Sequence, residues 1–304
     1  MRGPHLCLSI ALALLPGCSA IEALLDQGRT PIVYVDIVDT VSAQQSLKVP
    51  RAALERGARA AMQDWSDFAF REAQAGEEKW QLDLRVGLVT ERRADPDKAR
   101  APDADVVHRA LGLTLKLHAL GATERVPSDV QVSALVTRDE ARQVPLEKLA
   151  EHAVVEAGQR MQTAMELYWG PESAVSAGLS SQVEWQRGMS ADAAGVRALK
   201  SAVPALMNMV QNKDEAPELV VKAVGALLAI GDPRAAPAII DACRHQSPQY
   251  VVQMLFALGV LGGRQAQGYL FTVQSGHPDP AVRQAAASAL EELERRRDPA
   301  PAAP

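Results

Sequence analysis

The chain has 304 residues, 47% of them hydrophobic and 23% charged, with a formal net charge of −5. This is the size and balance of about two soluble domains, and it excludes collagen-like, disordered and multi-span membrane classes. Aromatics make up only 4%, residues 31–190 hold 19 Lys/Arg against 24 Asp/Glu, and residues 191–304 hold 11 of each; with few stacking platforms and no basic face, nucleic acid is excluded as a partner.

Residues 1–17 read as a secretory signal: Arg2 supplies positive charge, Leu6 to Leu15 form a ten-residue apolar run, and small residues follow. That run is too short to span a bilayer. At Leu15-Pro16-Gly17-Cys18 the sequence resembles the lipobox of bacterial lipoproteins, with Pro16 where Ala, Ser or Thr is usual. The resemblance implies that Cys18 receives a diacylglycerol and becomes the first residue of the mature chain, and Ser19 after it implies outer-membrane sorting toward the periplasm. Acyl chains at about 0.8 kcal/mol per buried methylene would hold a soluble body on the membrane. The rival reading is an ordinary cleaved signal in which Cys18 has no role. Of the three cysteines, Cys7 leaves with the signal and Cys18 is acylated, so Cys243 is left without a disulfide partner. Cys243 follows Ile239 by one helical turn, as either a buried apolar filler or a reactive thiol.

After a tether over 18–30, residues 31–170 predict an α/β domain. Residues 31–38 (PIVYVDIV) alternate and are β-branched, predicting a strand. Leu54, Ala58, Ala61, Met62, Trp65 and Phe68 recur at three- and four-residue steps and predict a helix over 51–68. Strands are predicted at 80–89, 106–120 and 130–136, suited to an antiparallel meander, with a charged loop at 94–105. Pro145 opens a second helix over 145–168, lined by Leu146, Leu149, Ala153, Val154, Ala157, Met161, Met165 and Leu167. The order β-α-β-β-β-α predicts a two-layer α/β sandwich. The overall fold class is therefore α+β.

Motifs of chemistry are missing from this domain: HExxH, GxSxG, GxGxxG, a P-loop and CxxC do not occur. His108 and His118 share one strand face, yet ten residues at about 3.3 Å each separate them too far to share a metal. Trp65, Trp80 and Trp169 read as core fillers or as the lining of a ligand pocket. No catalytic residue, metal ligand or cofactor is assigned.

Residues 171–202 read as a linker with a degenerate helix at 191–200, and beyond them the sequence repeats. Pro204 and Pro237 are 33 apart and each begins an apolar helix; Pro217, Pro248 and Pro280 are 31 and 32 apart and begin another set. Superposing the second set aligns Ala226, Ala257 and Ala289, then Leu227, Leu258 and Leu290, then Ile230, Leu261 and Leu293, while Gly231 and Gly262 stand where C-terminal caps belong. This helix-pair period of about 32 residues resembles the HEAT family over 203–297, particularly its short bacterial, phycobilin-lyase-like form. The resemblance implies an all-α solenoid of about three stacked pairs, with the family's turn Asp and second-helix Arg surviving only in the last pair, as Asp279 and Arg283. Stacking would bury stripes that one pair cannot bury alone. Glu291, Glu292, Glu294 and Arg295 to Arg297 give the last helix a polar closing end, and the tail at 298–304 lacks any core pattern.

HEAT repeats bind partners along their second helices. With Ala257, Leu258 and Leu261 inward, Gln249, Gln253, Phe256 and Val260 face outward beside Lys222 and form the candidate contact for a protein partner. Alternatively Phe256 tucks under a neighbouring element. The preferred function is a non-enzymatic, lipid-anchored envelope adaptor or scaffold. The alternatives are a small-molecule-binding or bilin-lyase-like protein with a pocket in the α/β domain, and a spacer that holds that domain off the membrane.

Overall fold

The computed structural model describes residues 29–39, 49–65, 67–69, 71–77, 79–93, 107–120, 129–138, 145–244 and 247–297. The signal at 1–17, Cys18, the loop at 94–105 and the tail at 298–304 lie outside the described residues. The protein is α+β: a mixed sheet comes first and a helical region follows. The chain divides into two compact units, Met1–Ala122 with Leu135–Gly158, and Thr123–Ala134 with Gln159–Pro304. The division falls inside one helix, between Gly158 and Gln159, and not at residue 170 where the sequence places it.

The sheet consists of strands β1 (Thr30–Asp39), β2 (Phe68–Ala69), β3 (Trp80–Arg93), β4 (Val107–Ala119) and β5 (Asp129–Arg138), in the order β2-β1-β3-β4-β5; β1 to β4 belong to the first unit, and the division between units falls within β5, after Ala134. β1 runs parallel to β3, which runs antiparallel to β4. Two-residue alternation buries Trp80, Leu82, Leu84 and Val86 on β3 against Leu111, Leu113, Leu115 and Leu117 on β4. Gln81, Asp83, Arg85, Thr114 and Lys116, between them, remain exposed or half-buried on the other face. A bulge between Val86 and Leu88 sets two residues of β3 against one of β4, so the inward series resumes at Val89, opposite Leu111.

Helix α1 (Arg51–Gln63) buries Ala53, Leu54, Gly57, Ala58, Ala61 and Met62. It ends five residues before the boundary its apolar spacing predicts. Phe68 leaves the helix because it opens β2, paired in parallel with Thr30 of β1, so long-range pairing overrides the local period. Trp65 and Phe68 are buried even so, joined edge-to-face at 6.3 Å, and Phe68 meets Trp80 at 5.4 Å. Trp65 and Trp80 are thus core fillers. Helix α2 (Leu146–Trp169) reproduces the predicted stripe, except that Leu146 is only half-buried. A Cβ at Gly158 would lie 2.3 Å from that of Ala61, and one at Gly57 2.9 Å from that of Val154, so these glycines let α1 and α2 approach closely.

The second unit continues with α3 (Glu172–Leu179), α4 (Glu184–Val196), α5 (Val203–Gln211), α6 (Pro217–Ile230), α7 (Ala236–Ala242), α8 (Pro248–Leu261), α9 (Arg264–Gly276) and α10 (Pro280–Arg297). Helices pack in successive pairs, α3 with α4, α5 with α6, α7 with α8 and α9 with α10. The second helices also meet one another in order, as do the first helices. The aligned positions are buried as their spacing predicts, with Leu290 half-buried. Gly231 caps α6 at φ +69, its N–H donating to Leu227 O; Gly262 caps α8 at φ +73, donating to Leu258 O. Ser247 accepts from Tyr250 N–H at the start of α8, and Asp279 accepts from Ala281 N–H at the start of α10.

Residues 171–202 depart from the linker reading, because α3 and α4 form a full pair there. Arg187, the fourth residue of α4, donates to Ser181 O at 2.9 Å; Arg283, the fourth residue of α10, donates to His277 O at 2.6 Å. Each arginine reaches the carbonyl six residues back and ties its helix to the preceding turn. The second-helix Arg is therefore present in the first pair as well as the last. Pro171, at the start of α3, stands 33 residues before Pro204, the same step that separates Pro204 from Pro237, so of this pair only α4, which opens after Val183 without a proline, escapes the Pro spacing.

Candidate partner-binding surface

On α8 the spacing that buries Ala257, Leu258 and Leu261 leaves Gln249, Gln253 and Phe256 exposed and Val260 half-buried. Four of the five predicted contact residues therefore share one face, at steps of four, three and four. Phe256 keeps 49% of its surface in solvent. Its equivalents one period away are small: Gly225 on α6, where a Cβ would meet nothing within 4 Å, and half-buried Ser288 on α10. The phenyl ring is the one large side chain at its position among these three helices.

Lys222 is exposed on α6, but its ammonium is paired with Asp192 of α4. Its stem also runs toward α4, since a Cβ at Gly188 would lie 3.4 Å from Lys222 Cδ. Lys222 therefore joins the first and second pairs, with its charge engaged by α4. The sequence reading placed it on the right helix and exposed, but could not supply its partner, 30 residues back.

Two further features were not legible in the repeat. Phe271 on α9 is 64% exposed, more than Phe256; the stripe Ala266, Leu270, Val273 is buried and leaves Phe271 off it. With Arg264, Gln274, Leu290 and Glu294 it lines a groove of about 570 Å3. At the turn end of the second and third pairs, a cleft of about 630 Å3 is lined by Lys213, Glu215, Asp241, Arg244 and Tyr250 among others. Its charges are largely engaged. Asp241 pairs with Arg244 at 3.0 Å and accepts from Gln211, and Glu215 pairs with Arg187 at 2.7 Å.

Groups that could do chemistry are held in unreactive states. Cys243 is buried, its thiol 3.3 Å from Ile239 O, and burial pushes it up to about 11, so thiolate is scarce at neutral pH. Burial likewise pushes Tyr269 up to about 12. His108 and His118 lie at the two ends of β4, opposite Arg92 and Gln81. Among the described residues no three His, Cys, Asp or Glu side chains are grouped to hold a metal ion, and no helix is long and apolar enough to cross a membrane. Compared with protein-family models and with curated proteins, the chain matches neither.

Proposed function

We propose that this is a lipid-anchored protein of the bacterial cell envelope, an outer-membrane lipoprotein facing the periplasm, that acts as a protein-interaction adaptor or scaffold and not as an enzyme. In this reading the first unit is a two-layer α/β sandwich. The helices from α3 to α10 form four HEAT-like pairs, one more than the sequence period marks, bounded by the matching arginines Arg187 and Arg283. The observation that carries the proposal is the half-exposed Phe256 on the outward face of α8, framed by Gln249 and Gln253, with the bare Gly225 one period away. Burying such an aromatic side chain contributes about 1.5–3 kcal/mol, enough to anchor a contact. Trp65 and Trp80, which the small-molecule or lyase-like alternative would use, are packed into the first unit's core instead.

A photo-crosslinker placed at Gln253 in intact envelopes is expected to give one discrete protein adduct. Phe256→Glu should reduce that adduct at least tenfold while the circular dichroism spectrum is unchanged; an adduct indifferent to Phe256→Glu, or none at all, refutes the proposal. The anchor has its own readout: mass spectrometry of the mature chain is expected to find Cys18 first and acylated.

A further inference from the structure

β1 is a strand with one side largely open. β2 covers Thr30 and Pro31 alone, and among the described residues nothing pairs with Ile32–Asp39 on the side away from β3. After the irregularity between Ile32 and Tyr34, Tyr34–Asp39 runs in unbroken register with β3. In a parallel strand, every second residue of that stretch turns its N–H and C=O to the open side. Proteins commonly blunt such edges with Pro, Lys or very short strands, yet Ile32–Asp39 (IVYVDIVD) carries neither residue.

Charge specifies what fits there. On the polar face, Asp36 of β1 stands opposite Asp83 of β3, which stands opposite Lys116 of β4. Like charges directly opposed across a sheet are unfavourable and opposite charges favourable, at roughly 0.2–1 kcal/mol per pair. Lys116 faces Asp83 from one side. Asp36 is half-buried and has no ion pair among the described residues, so the position beyond it on the open side calls for a cation. The residues before and after that cation would fall on the sheet's other face, in line with the buried Leu82 and Leu84, and should be apolar. A second copy of β1 brings two further aspartates and no Lys or Arg.

We infer that the open edge of β1 binds an extended strand of a partner protein, one that carries Lys or Arg between apolar residues and pairs that cation with Asp36. The site belongs to the first unit and does not depend on the Phe256 surface.

The test uses the full chain in detergent and two fluorescein-labelled peptides, acetyl-Val-Thr-Val-Lys-Val-Thr-Val-amide and its Lys→Glu counterpart, read by anisotropy at low salt. The lysine peptide is expected to bind saturably and to slow amide exchange across 32–39. Asp36→Lys should weaken it about fivefold or more and transfer the preference to the glutamate peptide. Asp36 lies on the solvated face, so circular dichroism of the variant should be unchanged, and Phe256→Glu should leave peptide binding intact. Absence of saturable binding, or equal affinity of the two peptides for both proteins, overturns the inference. So does concentration-dependent dimerisation without peptide that Asp36→Lys abolishes, because the edge would then serve a second copy.

Discussion

The sheet core and the helix contacts are filled by opposite rules. In the sheet unit the core is centred on large rings, with Trp65, Phe68 and Trp80 at 1% exposure or less. In the helical unit the buried residues are Ala, Leu, Val and a few of similar size, and helices come together through glycine. A Cβ at Gly259 of α8 would sit 2.7 Å from Ala289 O of α10, and one at Gly195 of α4 would sit 3.0 Å from Ala226 Cα of α6. Large side chains fill the roughly 10 Å that separates packed layers against a sheet, whereas helix axes drawn together over small residues leave no such space. The comparison implies that removing volume is the costly change in the sheet core and adding it is the costly change where helices meet, at Gly259 and Gly195 in the helical unit and at Gly57 and Gly158 between α1 and α2.

The largest effect should come from Trp80→Ala, expected to cost about 3–5 kcal/mol and to raise amide exchange throughout β1, β3 and β4. Equal loss of protection in α5 to α10 would show that the two units unfold as one body, which would break the comparison. Next is Gly259→Val, expected to cost about 1–3 kcal/mol because the atoms it meets are the backbone of Ala289 and cannot swing aside; a thermal melt unchanged from the parent would remove the small-residue rule for α8 and α10. A smaller effect of opposite sign is expected of Ser190→Ala. Ser190 is fully buried against Gly178 and its hydroxyl has no hydrogen-bond partner among the described residues, so removing it should stabilise the helical unit by about 1 kcal/mol in denaturant titration.

Acid sharpens the same division, since each unit holds a strongly paired carboxylate. Hydrogen bonds from Arg71, and then from Gln74 N–H, hold Glu77 at about 2 against an ordinary 4.5; those from Arg234 hold Asp232 at about 2 against 3.8. A carboxyl held low in the folded state stabilises it above the unfolded value, and that contribution fades as pH falls toward the folded one. Both units should therefore lose stability between about 4.5 and 2. Glu77 is half-buried, and Asp232 is buried but paired with the largely exposed Arg234, so the amplitudes should be small and should shrink further with salt. Arg71→Gln should flatten the acid limb in the sheet unit alone, and Arg234→Gln in the helical unit alone, as followed by segment-resolved hydrogen exchange.

Reading the site from sequence succeeded where one period decides the outcome and failed where a distant partner does. The 31-residue step from Pro217 to Pro248 carries with it the burial of Ala257 and Leu258 and the exposure of Gln253 and Phe256. It says nothing of Asp192, which claims Lys222, or of α4, whose Arg187 matches Arg283 without the proline that opens α6, α8 and α10. Phe271 lies on a first helix, whose outward positions the spacing of the second helices does not describe.

By itself the sequence determined β1, β3, β4 and β5, the helices α1, α2, α5 to α8 and α10, the stripes these helices bury, and the caps at Gly231 and Gly262, because these follow from spacing and from the backbone freedom of single residues. Only the tertiary structure decided that α1 stops at Gln63, that Gly87 bulges and shifts the inward face to Val89, that the units divide within α2, and that β1 keeps an open edge among the described residues. Each of those outcomes depends on which strand or helix lies alongside, and a neighbour tens of residues away leaves no mark on local periodicity.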